Sequence, residues 1–424
     1  MKSRILIDAT TVIEKQDGLS QYIISFLDNI PADAFESFEF LVLVNKDVQR
    51  KELWDVLIPG KFKVIKTKIA PIGPKRDWDM FWWLRKHKNN FDLFHSTSNQ
   101  YPPGLKNGIA TIHDITFRKY LDSPRYSFNM AKRFLNMVIK RSLNKSAAVI
   151  AVSDFTKNEL VNNYKLNKKI ESKIEVVYEG WEHLINDKEA EVVNKDRFDF
   201  DNYLFYVGTT RVHKNMKNLL KAFVIAEDKL PVNINLVVSG NETYLDEEDK
   251  KSIAAINANG LRIFFTGFVE KNELEYLFRK ADAFIFPSLS EGFGIPVLEA
   301  FYFKKPLLCS NTTSLPEIAG NAALYFNPSD PKDIAHSILS FYDDPAIGQQ
   351  LVIKGEERLK LFSWKKNENL QRQIWQNGIN YHCQYQSQLC SREVCGKSKL
   401  VGFIRKVATI RTQKLINLRH KKNL

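Results

Sequence analysis

The stretch Pro287-Ser-Leu-Ser-Glu291-Gly292-Phe293-Gly294-Ile295-Pro296-Val297-Leu298-Glu299-Ala300 carries the densest chemistry in the chain. It leaves an apolar run, passes two glycines and enters a helical pattern with Pro296 at or near the first position, where proline is favoured. The first N–H groups of a helix have no partners within it. A pliable backbone around Gly292 and Gly294 can turn such groups toward an anion, and phosphate matches them best. Glu291 and Glu299 flank that pocket. A carboxylate beside a phosphate is repelled unless it faces hydroxyls, and a nucleotide sugar presents hydroxyls on both sides of its diphosphate. Hydrolysis by paired carboxylates is the rival reading, and it requires that the anion site be absent.

Two Asp-x-Asp triplets, Asp77-Trp78-Asp79 and Asp199-Phe200-Asp201, could in principle hold a divalent cation. The first lies among Lys75, Arg76 and tryptophans and the second just before an apolar strand. In a chain with 49 acidic residues such triplets arise by chance, and no metal is assigned. The aromatic cluster Trp78, Phe81, Trp82 and Trp83 is expected in the core, with packing beneath an acceptor loop as the alternative.

These groups need a scaffold, and the chain alternates strand and helix throughout. Short apolar runs at 4–7, 38–44, 92–95, 109–112, 147–152 and 174–178 read as strands. Leu19, Tyr22, Ile23, Phe26, Leu27 and Ile30 mark one face of a helix, and Ser153 with Asp154 caps another. A polar stretch without periodicity, 186–201, reads as a linker. The pattern then restarts with strands at 203–207, 234–239, 262–266, 283–287, 307–309 and 323–326. Alternation of this kind means parallel sheets covered by helices, hence two Rossmann-like lobes with ligands bound in the cleft at the carboxyl ends of the strands. The expected divisions are 1–185, the linker 186–201, 202–375 and a tail 376–424.

A chain of 424 residues with 44% hydrophobic and 26% charged residues is ordinary globular protein, and no apolar run approaches the ~18 residues of a membrane span. The start, Met1 to Asp8, reads as a first strand and not as a signal peptide. Four cysteines without C-x-x-C spacing suit reduced thiols and a cytoplasmic setting. Of the formal charge of +13, the segment 391–424 carries ten Lys/Arg against one Glu, leaving +4 on the body. Leu400, Ile404, Val407, Leu415 and Leu418 give that segment a rough helical stripe. The expectation is peripheral contact with an anionic membrane, the alternative being a solvated terminus. No base-reading module is present, so nucleic acid is not an expected partner.

The E-x7-E spacing within EGFGIPVLEA, after a strand ending in Pro-Ser, resembles the donor-site signature of retaining family-4 glycosyltransferases of the GT-B fold. The likeness runs over about residues 4 to 375. YVGTTRVHKNMKNLLKAF resembles that family's glycine loop (Gly208) and phosphate-binding lysine. FTGFV, AFIFPS and SLPEIAG follow in the family's order, as do DGLSQY, TIHDITF, VSDFTKNEL and VVYEGW in the first half.

The resemblance implies an α/β GT-B protein that is a metal-independent, retaining hexosyltransferase. It implies that Lys214, with Arg211 as a second cation, holds the donor diphosphate, and that Glu299 accepts from the ribose hydroxyls. Glu291 and the N–H groups of Phe293 and Gly294 would orient the transferred sugar. Gly267 and Phe268 would meet the base, Gly18 would let the opposite lobe approach the diphosphate, and His113 would sit beside the sugar, with Asp114 fixing it or helping to bind acceptor. The expected donor is GDP-mannose or a UDP-hexose. The expected acceptor is a glycan or lipid-linked glycan, at the inner face of a membrane, in surface-polysaccharide synthesis. A GT-B epimerase and a non-catalytic nucleotide-sugar-binding subunit are the alternatives. Three positions depart from the family's pattern: His213 beside the lysine, Ser20 in the first loop, and Lys304 before the Lys305-Pro306 strand entry.

Overall fold

The computed structural model describes residues 2–14, 17–106, 108–120, 128–185, 195–198, 201–226, 229–230, 234–258 and 262–381. Most of the expected linker, the triplet members Asp199 and Phe200, and all of the expected basic tail beyond residue 381 lie outside the described residues.

Seven strands form the first sheet: β1 Ser3–Ala9, β2 Phe38–Asn45, β3 Lys63–Thr67, β4 Leu93–Ser96, β5 Ile109–Ile112, β6 Ala148–Ala151 and β7 Ile174–Val176. Six form the second: β8 Tyr203–Val207, β9 Asn235–Ser239, β10 Arg262–Phe265, β11 Ala283–Phe286, β12 Leu307–Ser310 and β13 Leu324–Phe326. Their spatial orders are β3-β2-β1-β4-β5-β6-β7 and β10-β9-β8-β11-β12-β13, and among the described residues every pairing of these strands is parallel. The strands read as unbroken apolar runs because helices cover both faces; Ile5, Leu6 and Ile7 in β1 and all of β11 are buried. Strand order reverses between β1 and β4 and again between β8 and β11. At such switch points the connecting chains part and leave a crevice at the carboxyl ends. The chemistry-bearing segments leave β5, β8 and β11 at that end.

Strand β3 was not among the expected strands. It is an edge strand whose two apolar residues, Val64 and Ile65, lie between lysines, and its exposure removes the pattern that marks a buried strand.

The chain does not stay in its second half. Helix 364–381 packs on the first sheet: Trp375 is fully buried against Phe26, Phe38 and Phe40, and its indole N–H reaches His95 Nδ1 at 3.3 Å. Trp364 Nε1 donates to Ser25 Oγ at 2.7 Å. The expected donor lobe of 202–375 therefore has its last turns on the other lobe. The large apolar face of 364–381 has its partner there, which no local pattern can reveal. His95 is walled in completely, and burial holds its imidazole down to about 3, hence neutral.

The expectation that the tryptophan cluster lies in the core is corrected. Trp78 is 65% and Trp82 52% exposed on helix Gly73–His87. The inward face of that helix is instead taken by Arg76, Asp77, Met80 and Leu84. Arg76 is fully buried, pairing with Asp8 and donating to the Gln100 carbonyl. A desolvated guanidinium must have such partners.

Candidate functional site

The loop from β11 to helix Ile295–Tyr302 is organised by where its carbonyls go. Glu291 O and Phe293 O both accept from the buried Ser314 hydroxyl, at 3.1 and 2.8 Å. Gly292 O accepts from Ser153 Oγ at 2.5 Å and Thr156 Oγ1 at 3.1 Å. Gly294 O accepts from Val297 N. The four successive carbonyls from Glu291 to Gly294 are thus spent inward or across the cleft. The N–H groups of Phe293, Gly294 and Ile295 have no partner among the described residues. Orphan amides beside a helix start form an anion site. Gly294 makes the turn at φ +108°, and a Cβ there would also press Leu315 at 2.9 Å. No side chain caps the helix, so the polar partner has to come from a ligand or from water.

Lys214 is delivered by a short turn, Val212–Lys214, after β8. Leu289 N donates to His213 O at 2.7 Å, and Asn215, in the left-handed conformation and 5% exposed, donates to the carbonyls of Pro287 and Pro328. These bonds sew the turn to the β11 loop and bring Lys214 Nζ to 2.6 Å from Glu291 Oε1. The ammonium therefore sits at the loop with the orphan amides, and it keeps two further protons to donate. Sequence reasoning passed over Asn215, whose role is carried by its φ of +64° and not by its chemistry.

His213, one of the three departures, holds Leu289 through its carbonyl. Burial, then Lys214, pushes its imidazole below the ordinary 6.5. Ser20 has a clear role as well: its N–H caps on Asp17 and its hydroxyl accepts from Ile13 N at 3.2 Å, tying down the loop before Gly18. At Gly18 a Cβ would meet open space. Lys304 adopts φ +55° and pairs with Glu356 on the surface.

The remaining donor-side residues are more spread. Glu299 lies on the same helix, with Oε1 4.0 Å from Nε2 of His183. Among the described residues neither ring nitrogen of His183, both shielded from solvent, has a hydrogen-bond partner. Gly208 takes φ +146° at the end of β8. Arg211 is exposed and stacks on Tyr244 at 5.2 Å. Gly267 takes φ +71° after the edge strand β10, and Phe268 beside it is 56% exposed, a free ring at the rim of the second sheet.

The two halves meet at this loop. Gly292 lies so close to the His113 carbonyl that a Cβ could not be accommodated. Thr156 Oγ1 donates to both His113 O and Gly292 O, at 3.1 Å each. Glu317, from SLPEIAG, accepts from Asp154 N and Phe155 N at 2.7 and 2.8 Å, so a carboxylate of one lobe occupies the helix start of the other.

His113 itself is held by backbone and by charge. Asn99 accepts from His113 N and donates to Asp114 O. His113 Nε2 stands 2.9 Å from Thr97 O, Nδ1 lies 3.8 Å from Glu179 Oε1, and Tyr22 packs edge-on at 4.5 Å. A contact to a carbonyl oxygen fixes Nε2 as a donor. Burial alone would depress the imidazole, but Glu179, then Thr97 and Asp114, outweigh it and raise it above 6.5. Glu179 is 4% exposed and was missed by sequence reasoning; only the acid inside VVYEGW could have pointed to it.

A raised imidazole stabilises the folded state fully below about 6.5, the unfolded value, and loses that contribution as pH rises through the folded value. Wild type and Glu179→Gln are therefore expected to differ most in unfolding free energy near pH 5.5 and to converge in alkali. Urea titrations across pH check this, and a constant difference would refute it.

The triplet Asp77-Trp78-Asp79 is consumed locally. Asp77 forms an ion pair with Arg141 at 2.7 Å and accepts from Gln100 at 2.9 Å, and Asp79 accepts from Lys75 and Ala70 N. Among the described residues no group of three His, Cys, Asp or Glu is placed to hold a metal, and no helix is long and apolar enough to cross a membrane.

Comparison with known proteins gives two family models in tandem. Glycosyltransferase Family 4 matches residues 21–182, and glycosyl transferases group 1 matches 187–358. The chain is 29% identical over 289 residues to O-antigen chain mannosyltransferase B of Escherichia coli, covering 67% of this chain and 73% of that protein. It is also 29% identical over 322 residues to O-antigen chain mannosyltransferase RfbU of Salmonella typhimurium, covering 74% and 84%. Among solved structures, sucrose-phosphate synthase of Thermosynechococcus elongatus superposes with TM-score 0.64 at 17% identity, over 88% of this chain and 98% of that one. HepE of Anabaena, in complex with UDP and glucose, gives 0.64 at 15% over 88% and 99%.

Proposed function

Because this chain belongs to the family-4 glycosyltransferases and is a hexosyltransferase of the GT-B fold, we propose that it moves mannose, with retention, from GDP-mannose to a hydroxyl of a surface-polysaccharide glycan. The observation that carries the reading is the β11 loop, whose Glu291, Gly292, Phe293 and Gly294 carbonyls are engaged while the three amides of Phe293 to Ile295 have no partner among the described residues and the Lys214 ammonium is held at the loop by Glu291. Cleaving the sugar–phosphate bond leaves positive charge on the anomeric carbon and negative charge on the departing diphosphate. The free amides, the positive end of helix Ile295–Tyr302 and Lys214 face that negative charge, already oriented before the bond breaks and without a metal.

The acceptor oxygen attacks from the face the diphosphate leaves, and a phosphate oxygen takes its proton. Neither Glu291 nor Glu299 then has to form a bond to the sugar. Glu291 orients the sugar hydroxyls and Glu299 the ribose, with Gly267 and Phe268 at the base, Arg211 at the outer phosphate, and Gly208 and Gly18 keeping the two walls clear. Mannose is favoured because both O-antigen relatives above are named mannosyltransferases. The HepE structure, which contains UDP and glucose, makes a UDP-hexose the comparison to test.

Thermal stabilisation by a panel of GDP, UDP, GDP-mannose and UDP-glucose discriminates among these donors. A ligand at 100 times its Kd adds about 2.7 kcal/mol of stability. GDP and GDP-mannose are expected to stabilise, and a response to uridine nucleotides alone would overturn the choice of donor. The basic segment beyond residue 390 is assigned to an anionic membrane at the cytoplasmic face, where lipid-linked acceptors are presented. Truncation after Leu389 is expected to abolish sedimentation with vesicles rich in anionic phospholipid while GDP binding persists. Equal sedimentation of both forms would refute that assignment.

A further inference from the structure

The last turn of the first half, Glu182–Leu184, lies against helix Ile295–Tyr302 of the second. His183 on that turn has its side chain 8% exposed, and its Nε2 is 4.0 Å from Oε1 of Glu299. The turn is fixed from both sides. Lys271 Nζ donates to His183 O at 3.0 Å, and Trp181 packs on Tyr302, one helical turn beyond Glu299, with ring centroids 5.4 Å apart. On the other side the Glu182 carboxylate accepts from the Ser363 hydroxyl. Four residues before His183, Glu179 stands against His113. One short stretch therefore supports the sugar-side histidine with its first residue and approaches the Glu299 carboxylate with its last.

A neutral imidazole carries one N–H donor and one acceptor nitrogen, and a buried donor left unpaired is costly. Among the described residues both nitrogens of His183 are in that position. Because both are shielded from solvent, a ligand in the cleft does not meet the ring itself. It can meet Glu299, whose carboxylate accepts no hydrogen bond among the described residues and is 13% exposed as a side chain. The 4.0 Å gap exceeds a hydrogen bond, and a shift of about 1 Å in the carboxylate closes it. Glu299 then accepts from His183 Nε2 with one oxygen and keeps the other for the cleft. A carboxylate tethered in this way has less side-chain freedom to lose when a diol reaches it.

We propose that His183 is a positioning residue for the ribose: it donates from Nε2 to Glu299 and so directs the second carboxylate oxygen at the 2′- and 3′-hydroxyls of a nucleoside diphosphate. This rests on the placing of Glu299 at the ribose. The histidine arrives from the first half of the chain and the glutamate from the second, so selection of a ribonucleotide over its deoxy counterpart is shared between the halves. Only Nε2 approaches the carboxylate, which decides what can replace the ring. A glutamine amide reaches the place of Nε2, whereas the shorter asparagine reaches only the place of Nδ1.

The test is calorimetric titration of the full chain with GDP and UDP, each beside its 2′,3′-dideoxy form. For whichever nucleotide wild type binds, the ribo form is expected to bind more tightly than the dideoxy form. His183→Asn is expected to lower that preference about tenfold, the worth of roughly one hydrogen bond, by weakening the ribo form alone. His183→Gln is expected to retain the preference. Unchanged affinity for the dideoxy form shows at the same time that both variants are folded. A loss of affinity for both forms alike marks a purely structural role and overturns the proposal, as does a preference kept in His183→Asn or lost equally in both variants. Glu299→Ala separates this result from failure of the underlying reading. A ribo preference that survives Glu299→Ala removes Glu299 from the ribose and the proposal with it. Loss in Glu299→Ala with retention in His183→Asn brings down the part of His183 alone.

Discussion

Lys214→Ala is expected to lower turnover of the nucleotide sugar by about 10²–10³-fold, the range found when one oriented donor to a developing anion is removed. Nζ lies 2.6 Å from Glu291, with the lysine side chain 20% and the glutamate side chain 14% exposed. The substitution therefore removes a charge from a site where water can supply only part of a replacement, and it strands the Glu291 carboxylate beside the incoming diphosphate. Both effects act on the same ligand, so nucleoside diphosphate affinity falls together with the rate. Because the two side chains touch, Lys214→Ala combined with Glu291→Gln is expected to cost much less than the two single losses summed. Isothermal titration with GDP and single-turnover kinetics on the four proteins of the cycle measure this. Wild-type GDP affinity in Lys214→Ala would remove the lysine from the diphosphate site.

Gly292→Ala is the other large effect, of about 10²-fold or more on transfer. The added methyl carbon would drive into the His113 carbonyl, which is backbone held by Asn99 and Thr156 and has little room to retreat. The halves must then separate, breaking the bonds from Ser153 and Thr156 to Gly292 O. Displacements near 1 Å between reacting groups are enough for losses of this size. Gly292 sits at the surface of its own sheet, so each half keeps its core. GDP should still bind the second half while transfer and interlobe closure fail, the latter visible as a larger radius in small-angle scattering with GDP present. Unchanged transfer would mean that the halves need not meet here during the reaction.

The two experiments separate what could be read along the chain from what could not. Alternating apolar runs and helical faces fixed the α/β class because parallel strands are buried on both sides and say so locally. The exceptions were instructive. Edge strand β3 has solvent on its open side and no apolar run, and Trp78 and Trp82 are exposed where composition alone argues for the core. Glu291, Gly294 and Glu299 were visible because a phosphate site needs glycines and a helix start within a few residues of one another, whereas Lys214, 77 residues from Glu291, was implied only by the family resemblance. Asn215, Glu179 and Glu317 were not, since their parts are set by a backbone angle or by a partner more than sixty residues away.

The amino-acid order alone determined the two-lobed architecture, the family signature and the segments that bear chemistry, since each is written in residues close along the chain. Tertiary structure decided the rest. It set the pairing of Lys214 with Glu291 and the spending of the loop's carbonyls on Ser314, Ser153 and Thr156. It also placed Glu317 at a helix start across the cleft and returned 364–381 to the first sheet. Burial, hydrogen bonding and charge pairing depend on distance in space, and distance between residues far apart in the chain is fixed only when the chain folds.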